Sequence, residues 1–183
     1  GGIAETVWGA LDPKSEGFQE AGNWTGVLFA VQAIGSILWA MVLPMFKSVK
    51  VGYSLSLVLG AVGFISTYFI HDQYLLFLSF ILIGCAWAAM LAMPFALLTN
   101  SLSGKSMGSY LGLFNCTICL PQIVAALVGG FLFKTFGGEK VELISNGVAT
   151  EVQSGQIMML VIAGVSLLLA AVAVFGISTR KAK

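Results

Sequence analysis

Residues 108–133 read GSYLGLFNCTICLPQIVAALVGGFLF, a run that contains no Asp, Glu, Lys or Arg. The hydrocarbon core of a bilayer is about 30 Å thick, and a helix rising about 1.5 Å per residue crosses it in about 20 apolar residues. The run therefore predicts a membrane-spanning helix. It is not a plain lipid anchor. Asn115, Thr117 and Gln122 are polar, and Pro121 cannot donate a backbone hydrogen bond, which frees the carbonyl of Thr117. Gly108, Gly112, Asn115, Cys119 and Gln122 follow one another at spacings of 4, 3, 4 and 3, which place them on one helical face.

Outward from this run, four more uncharged segments satisfy the same length: 25–46, 51–70, 74–98 and 157–177. Of the 183 residues, 58% are hydrophobic and 9% charged. Soluble domains carry about 25% charged residues, so the expectation is an all-α integral membrane protein with five spans. The net charge of +1 gives no nucleic-acid footprint. Residues 1–24 are polar and form no signal-peptide layout, and 134–156 read as a second long loop.

The lysines predict an orientation. Lys47, Lys50 and Lys105 lie in the two short loops, and Arg180, Lys181 and Lys183 follow the last span. By parity all six share one side, which the positive-inside rule makes cytoplasmic, with 178–183 as a cytoplasmic tail. Every acidic residue falls on the other side, with Lys14, Lys134 and Lys140. Trp24, Tyr68 and Tyr74 at outer ends, and Tyr53 and Tyr110 at inner ends, fit interfacial belts. The opening GGIAETVWG predicts an earlier span upstream.

Polar and small residues show which helical faces meet protein or a cavity rather than lipid. In the first span Thr25, Gln32, Ser36 and Trp39 are spaced 7, 4 and 3, again one face. The third carries Gly84, Trp87 and Pro94, and Pro94 frees the carbonyl of Met90. The fifth holds only Ser166 as a polar side chain between Ile157 and Phe175 and reads as peripheral. The second is intermediate, with Gly60 and Gly63 for close packing. The polar residues of the first, third and fourth spans lie at similar depth, where transporter sites sit beside interrupted helices.

Each feature has a plainer alternative. Gly108 and Gly112 could serve packing alone, and Ser36 and Thr117 could bond to carbonyls of the preceding turn. Asn115 and Gln122 could bond to neighbouring helices instead of lining a cavity, and Trp39 and Trp87 could be core fillers. Cys116 and Cys119 form a Cys-x-x-Cys pair inside an apolar helix with no His or acid nearby, so no metal site is expected there. The third cysteine, Cys85, also lies in an apolar run, and no disulfide framework results. His71 lies in a short polar loop. The sequon at Asn23-Trp24-Thr25 abuts the membrane. No catalytic set or phosphate loop is evident, so an enzyme is not expected.

Residues 93–130, MPFALLTNSLSGKSMGSYLGLFNCTICLPQIVAALVGG, resemble the sucrose transporter family. There a Pro-Phe-Ala-Leu end of span ten precedes a short cytoplasmic loop. Span eleven then carries Leu-Gly, an Asn three residues on, and Pro-Gln. Here these are Pro94-Phe95-Ala96-Leu97, Leu111-Gly112, Asn115 and Pro121-Gln122. GGIAETVWG resembles the stretch after that family's seventh span. The resemblance implies a glycoside–cation symporter of the major facilitator superfamily, with helices in two halves of six. This chain would be the C-terminal half from span eight to span twelve, with 1–24 as the extracytoplasmic loop after span seven. Spans nine and twelve would be peripheral. The superfamily's basic loop motif is reduced here to Lys47, Lys50 and Gly52.

The expected function is alternating-access symport of a disaccharide or glycoside, driven by a proton or sodium ion, with the N-terminal half of the same transporter as partner. No cofactor is expected. Coupling needs a titratable group in the membrane, and none of the five spans supplies one; the family's coupling acid lies in the first half. The expected substrate contacts are Gln122 and Asn115 as hydrogen-bonding groups and Trp87 as an aromatic wall, with Gln32 and Ser36 in support. Gly112, Pro94 and Pro121 are expected to shape the moving helices. Two rivals stay open: a facilitator of another neutral solute, such as a nucleoside or drug, and a membrane scaffold whose polar stripes only join helices.

Overall fold

The structure, a computed structural model, describes residues 1–101, 107–136, 138, 140–145 and 148–176. Five of its helices are long and apolar enough to cross a membrane. In order they are α2 (Glu16–Val42), α3 (Val49–Phe69), α4 (Leu76–Ser101), α5 (Met107–Phe136) and α6 (Met158–Gly176). A short helix α1 (Gly2–Trp8) precedes them, and a hairpin of β1 (Lys140–Ser145) and β2 (Val148–Gln153) lies between α5 and α6. The hairpin is antiparallel, with Lys140 opposite Gln153 and Glu142 opposite Glu151. It is the one departure from an all-helical chain among the described residues, and it lies outside the spans.

Local chemistry sets several ends. The Ser15 hydroxyl accepts from the Phe18 amide at 3.2 Å, capping α2, and Glu16 adds favourable charge to its first turn. The helix thus begins within the stretch expected as loop, and residues 16–24 form its N-terminal turns. After Val42 the chain tightens into a 3-10 turn, Leu43–Met45, at Pro44. At the head of α4 the Asp72 carboxylate accepts from the amides of Tyr74 and Leu75 at 2.8 and 3.1 Å. Pro94 and Pro121 sit inside helices that run on past them, so neither proline ends its helix.

The bundle is built as α2 on α4, α4 on α3, and α3 on α6. Glycines permit the close approaches. A Cβ at Gly63 on α3 would stand 2.6 Å from the Ser79 carbonyl of α4, and one at Gly164 on α6 would stand 3.0 Å from the Ala61 carbonyl of α3. Hydroxyls join the same surfaces: Ser54 of α3 donates to the Ala171 carbonyl of α6 at 3.1 Å, and the Ser66 and Ser79 hydroxyls lie 2.8 Å apart. The second span, read from its sequence as intermediate, packs on both α4 and α6. It is gripped from two sides, which is why its polar residues form no single stripe. The fourth span differs. No residue of α5 whose burial is described is buried, and a Cβ at Gly108 or Gly112 would meet nothing within 4 Å.

Candidate functional site

The α2–α4 crossing places the polar face of α2. A Cβ at Gly35 would lie 3.0 Å from the Ile81 carbonyl oxygen of α4. A Cβ at Gly84 would run into the Gln32 carbonyl and lie 3.0 Å from the Ser36 amide. The Ser36 hydroxyl sits between two acceptors, the Gln32 carbonyl at 3.0 Å in its own helix and the Gly84 carbonyl at 2.9 Å across the crossing. Its single proton is therefore held by backbone, and towards a ligand it offers lone pairs only.

Beside this crossing is a cavity of about 700 Å³. Thr25, Phe29, Gln32, Ala33, Ser36 and Ile37 of α2 form one wall, and Phe80, Ile83 and Trp87 of α4 the other. Phe64 of α3, Leu160 of α6 and Ile3 of α1 complete it. No lining residue is charged. Thr25 donates to the Ala21 carbonyl at 2.7 Å, so its proton is also committed. The Gln32 carboxamide has no hydrogen-bond partner among the described residues. Gln32 thus brings the site's uncommitted amide, with two donors and one acceptor oxygen. Trp87, 52% exposed within the chain, supplies an aromatic face.

Of the five residues expected to contact substrate, Gln32, Ser36 and Trp87 come together here. Asn115 and Gln122 do not. They are exposed on α5, away from the cavity lining, and so is Gly112. Cys116 and Cys119 are free and exposed, and among the described residues no cluster fits a metal ion. Thr117 donates to the Phe114 carbonyl at 2.7 Å, the local back-bond weighed from its sequence context. Trp39 turns away from the cavity and donates to the Ser56 hydroxyl at 2.8 Å, a packing contact between α2 and α3.

The sequence reading missed the apolar walls. Phe29 lies three residues before Gln32, and Phe80, Ile83 and Trp87 are spaced 3 and 4, so extending the same helical periodicity would have found them. Ile3 and Leu160 carry no such signal, because only the folded chain brings two ends 157 residues apart together.

The family model of the Major Facilitator Superfamily matches residues 6–183. No curated protein and no solved structure matches the chain.

Proposed function

Since the chain belongs to the Major Facilitator Superfamily of membrane transporters, we propose that it forms the C-terminal half, spans eight to twelve, of a secondary transporter for a disaccharide or glycoside. The solute binds between the halves by alternating access, and a proton or sodium ion bound in the other half drives uptake. The single observation that carries this is the uncharged cavity in which the free amide of Gln32 faces the same space as Trp87. A neutral polyol needs hydrogen-bonding groups without net charge and an apolar surface for its ring C–H faces. Asn115 and Gln122, on the uncovered stripe of α5, add polar groups where the two halves meet.

The sidedness follows from the lysines. Lys47 lies between α2 and α3 and Lys50 in the first turn of α3; by the positive-inside rule that end is cytoplasmic, which would put α1, the hairpin and the loop at His71 outside. Lys105, Arg180, Lys181 and Lys183, which strengthen this assignment, are outside the described residues.

The test is sugar uptake by the full-length transporter carrying Trp87→Ala or Trp87→Phe. A ring wall predicts that Ala raises KM strongly while Phe retains most of the affinity. Equal, wild-type affinity in both variants at normal expression removes Trp87 from the site. The second reading, a facilitator of another neutral solute, draws on the apolar residues Phe29, Ile37, Phe64, Phe80 and Ile83 around the cavity. Uptake of a nucleoside or an apolar drug, with no response to any glycoside, selects it.

A further inference from the structure

The N-terminal segment is tied across the mouth of the cavity. Helix α1 buries Ala4, and Ile3 and Val7 pack against the cluster of Leu28, Leu76, Phe80 and Ile83. Ile3 lines the cavity directly, facing Leu160 of α6. A polar contact ties this arrangement to the turn before α6. The Glu5 carboxylate accepts from the Gly155 amide, with its two oxygens at 3.0 and 2.8 Å. Gly155 adopts φ 74°, the left-handed region that glycine tolerates, and this turn aims its N–H at α1 just before α6 starts.

We propose that the Glu5–Gly155 bond is a latch that keeps α1 over the outer mouth of the cavity, so that Glu5 is a positioning residue for extracellular access. A carboxylate–amide bond is charge-assisted, and α1 has only two turns of its own to resist displacement. When the bond opens, Ile3 can leave the space between α2 and α6, and the cavity joins the outer solution. Closure re-forms the bond and returns Ile3 to the cavity wall. The sidedness of this latch rests on the orientation proposed above.

The test uses the full-length transporter with all its native cysteines, Cys85, Cys116 and Cys119 among them, changed to Ser and Ala33→Cys as reporter in the cavity wall. Intact cells are treated with a charged, membrane-impermeant thiol reagent, and the labelling rate is read without any substrate. Glu5→Ala is expected to raise that rate about tenfold, the scale set by losing one charge-assisted hydrogen bond. Glu5→Gln keeps an oxygen that accepts from Gly155 and is expected to raise the rate less. An unchanged rate in Glu5→Ala, or an equal rise in both variants, overturns the latch. Because the readout needs no solute, failure to transport a sugar leaves this result separate. A second arm, in the cysteine-free protein, joins Gly1→Cys to Gln156→Cys by oxidation, beside the position where a Gly1 side chain would meet Gln156. Bridging should stop uptake of whichever solute is carried, reversibly with a reductant; uptake that continues with the bridge intact overturns the proposal.

Discussion

The Ser36 hydroxyl on α2 lies 2.9 Å from the Gly84 carbonyl oxygen on α4, and no side chain separates the two helices at that point. Gln32 lies one turn before Ser36 on α2, and Trp87 lies one turn after Gly84 on α4. Gly84→Ala would push a methyl group against the Gln32 carbonyl. The expected cost is about 1–3 kcal/mol, the range for overpacking a tight interior. In thermal unfolding of the purified protein this appears as a fall in Tm of roughly 2–4 °C per kcal/mol. A Tm equal to that of the parent protein would show that the helices separate freely there.

Gln32 and Gln122 offer a direct comparison. Gln32 lines the cavity, whereas Gln122 is exposed on α5. Removing a hydrogen bond to bound solute costs about 0.5–1.5 kcal/mol, which at the upper end is close to tenfold in affinity. Gln32→Ala is expected to raise the KM for uptake by up to that factor. Gln122→Ala raises KM only if α5 faces solute in the assembled transporter. Uptake kinetics at matched expression separate the two positions, and unchanged KM in Gln32→Ala would remove the cavity's free amide from recognition.

Trp39 should behave oppositely to Trp87. Its indole N–H bonds to Ser56, which in turn donates to the Gly52 carbonyl at 2.7 Å. Trp39→Phe loses that N–H and some volume while Ser56 keeps its acceptor. The expected effect is a stability loss of about 0.5–1.5 kcal/mol with substrate affinity unaltered. Tm and KM measured on the same preparation check this, and a shift in KM alone would contradict it.

The hairpin predicts a pH dependence. The Lys140 ammonium is 2.7 Å from the Glu151 carboxylate, and both side chains are exposed. The hydrogen bond and charge of Lys140 lower the Glu151 pKa, and those of Glu151 raise the Lys140 pKa. For Glu151, lowered in the folded state, the contribution is present above the unfolded pKa and lost as pH falls through the folded one. For Lys140, raised in the folded state, it is present below the unfolded pKa and lost as pH rises through the folded one. The ion pair therefore holds over the neutral range and fails at both extremes. Glu151→Gln is expected to leave Tm nearly unchanged at neutral pH, because exposed pairs contribute little. Its effect on hydrogen exchange in the strands should vanish in acid.

The glycines of α3 and α4 show what was legible in the sequence. Gly60 and Gly63 were expected to mark close packing, and both lie against α4. Gly108 and Gly112, four apart instead of three, also face one side of an apolar helix, but a Cβ on either would meet nothing within 4 Å among the described residues. A small residue permits an approach without specifying which helix makes it. The same limit applies to the amides: Gln32 and Gln122 look alike as polar interruptions, yet one lines a cavity and the other stands exposed.

By itself the sequence determined the five spans, because the length and apolarity needed to cross a bilayer are local properties of a segment. It also determined the polar faces of α2 and α5, because helical spacing is local as well. The tertiary structure decided which faces meet. It set α3 between α4 and α6, left α5 uncovered, and carried Ile3 and Glu5 to Leu160 and Gly155. Those pairings depend on how whole helical surfaces fit, and no window of neighbouring residues contains that information.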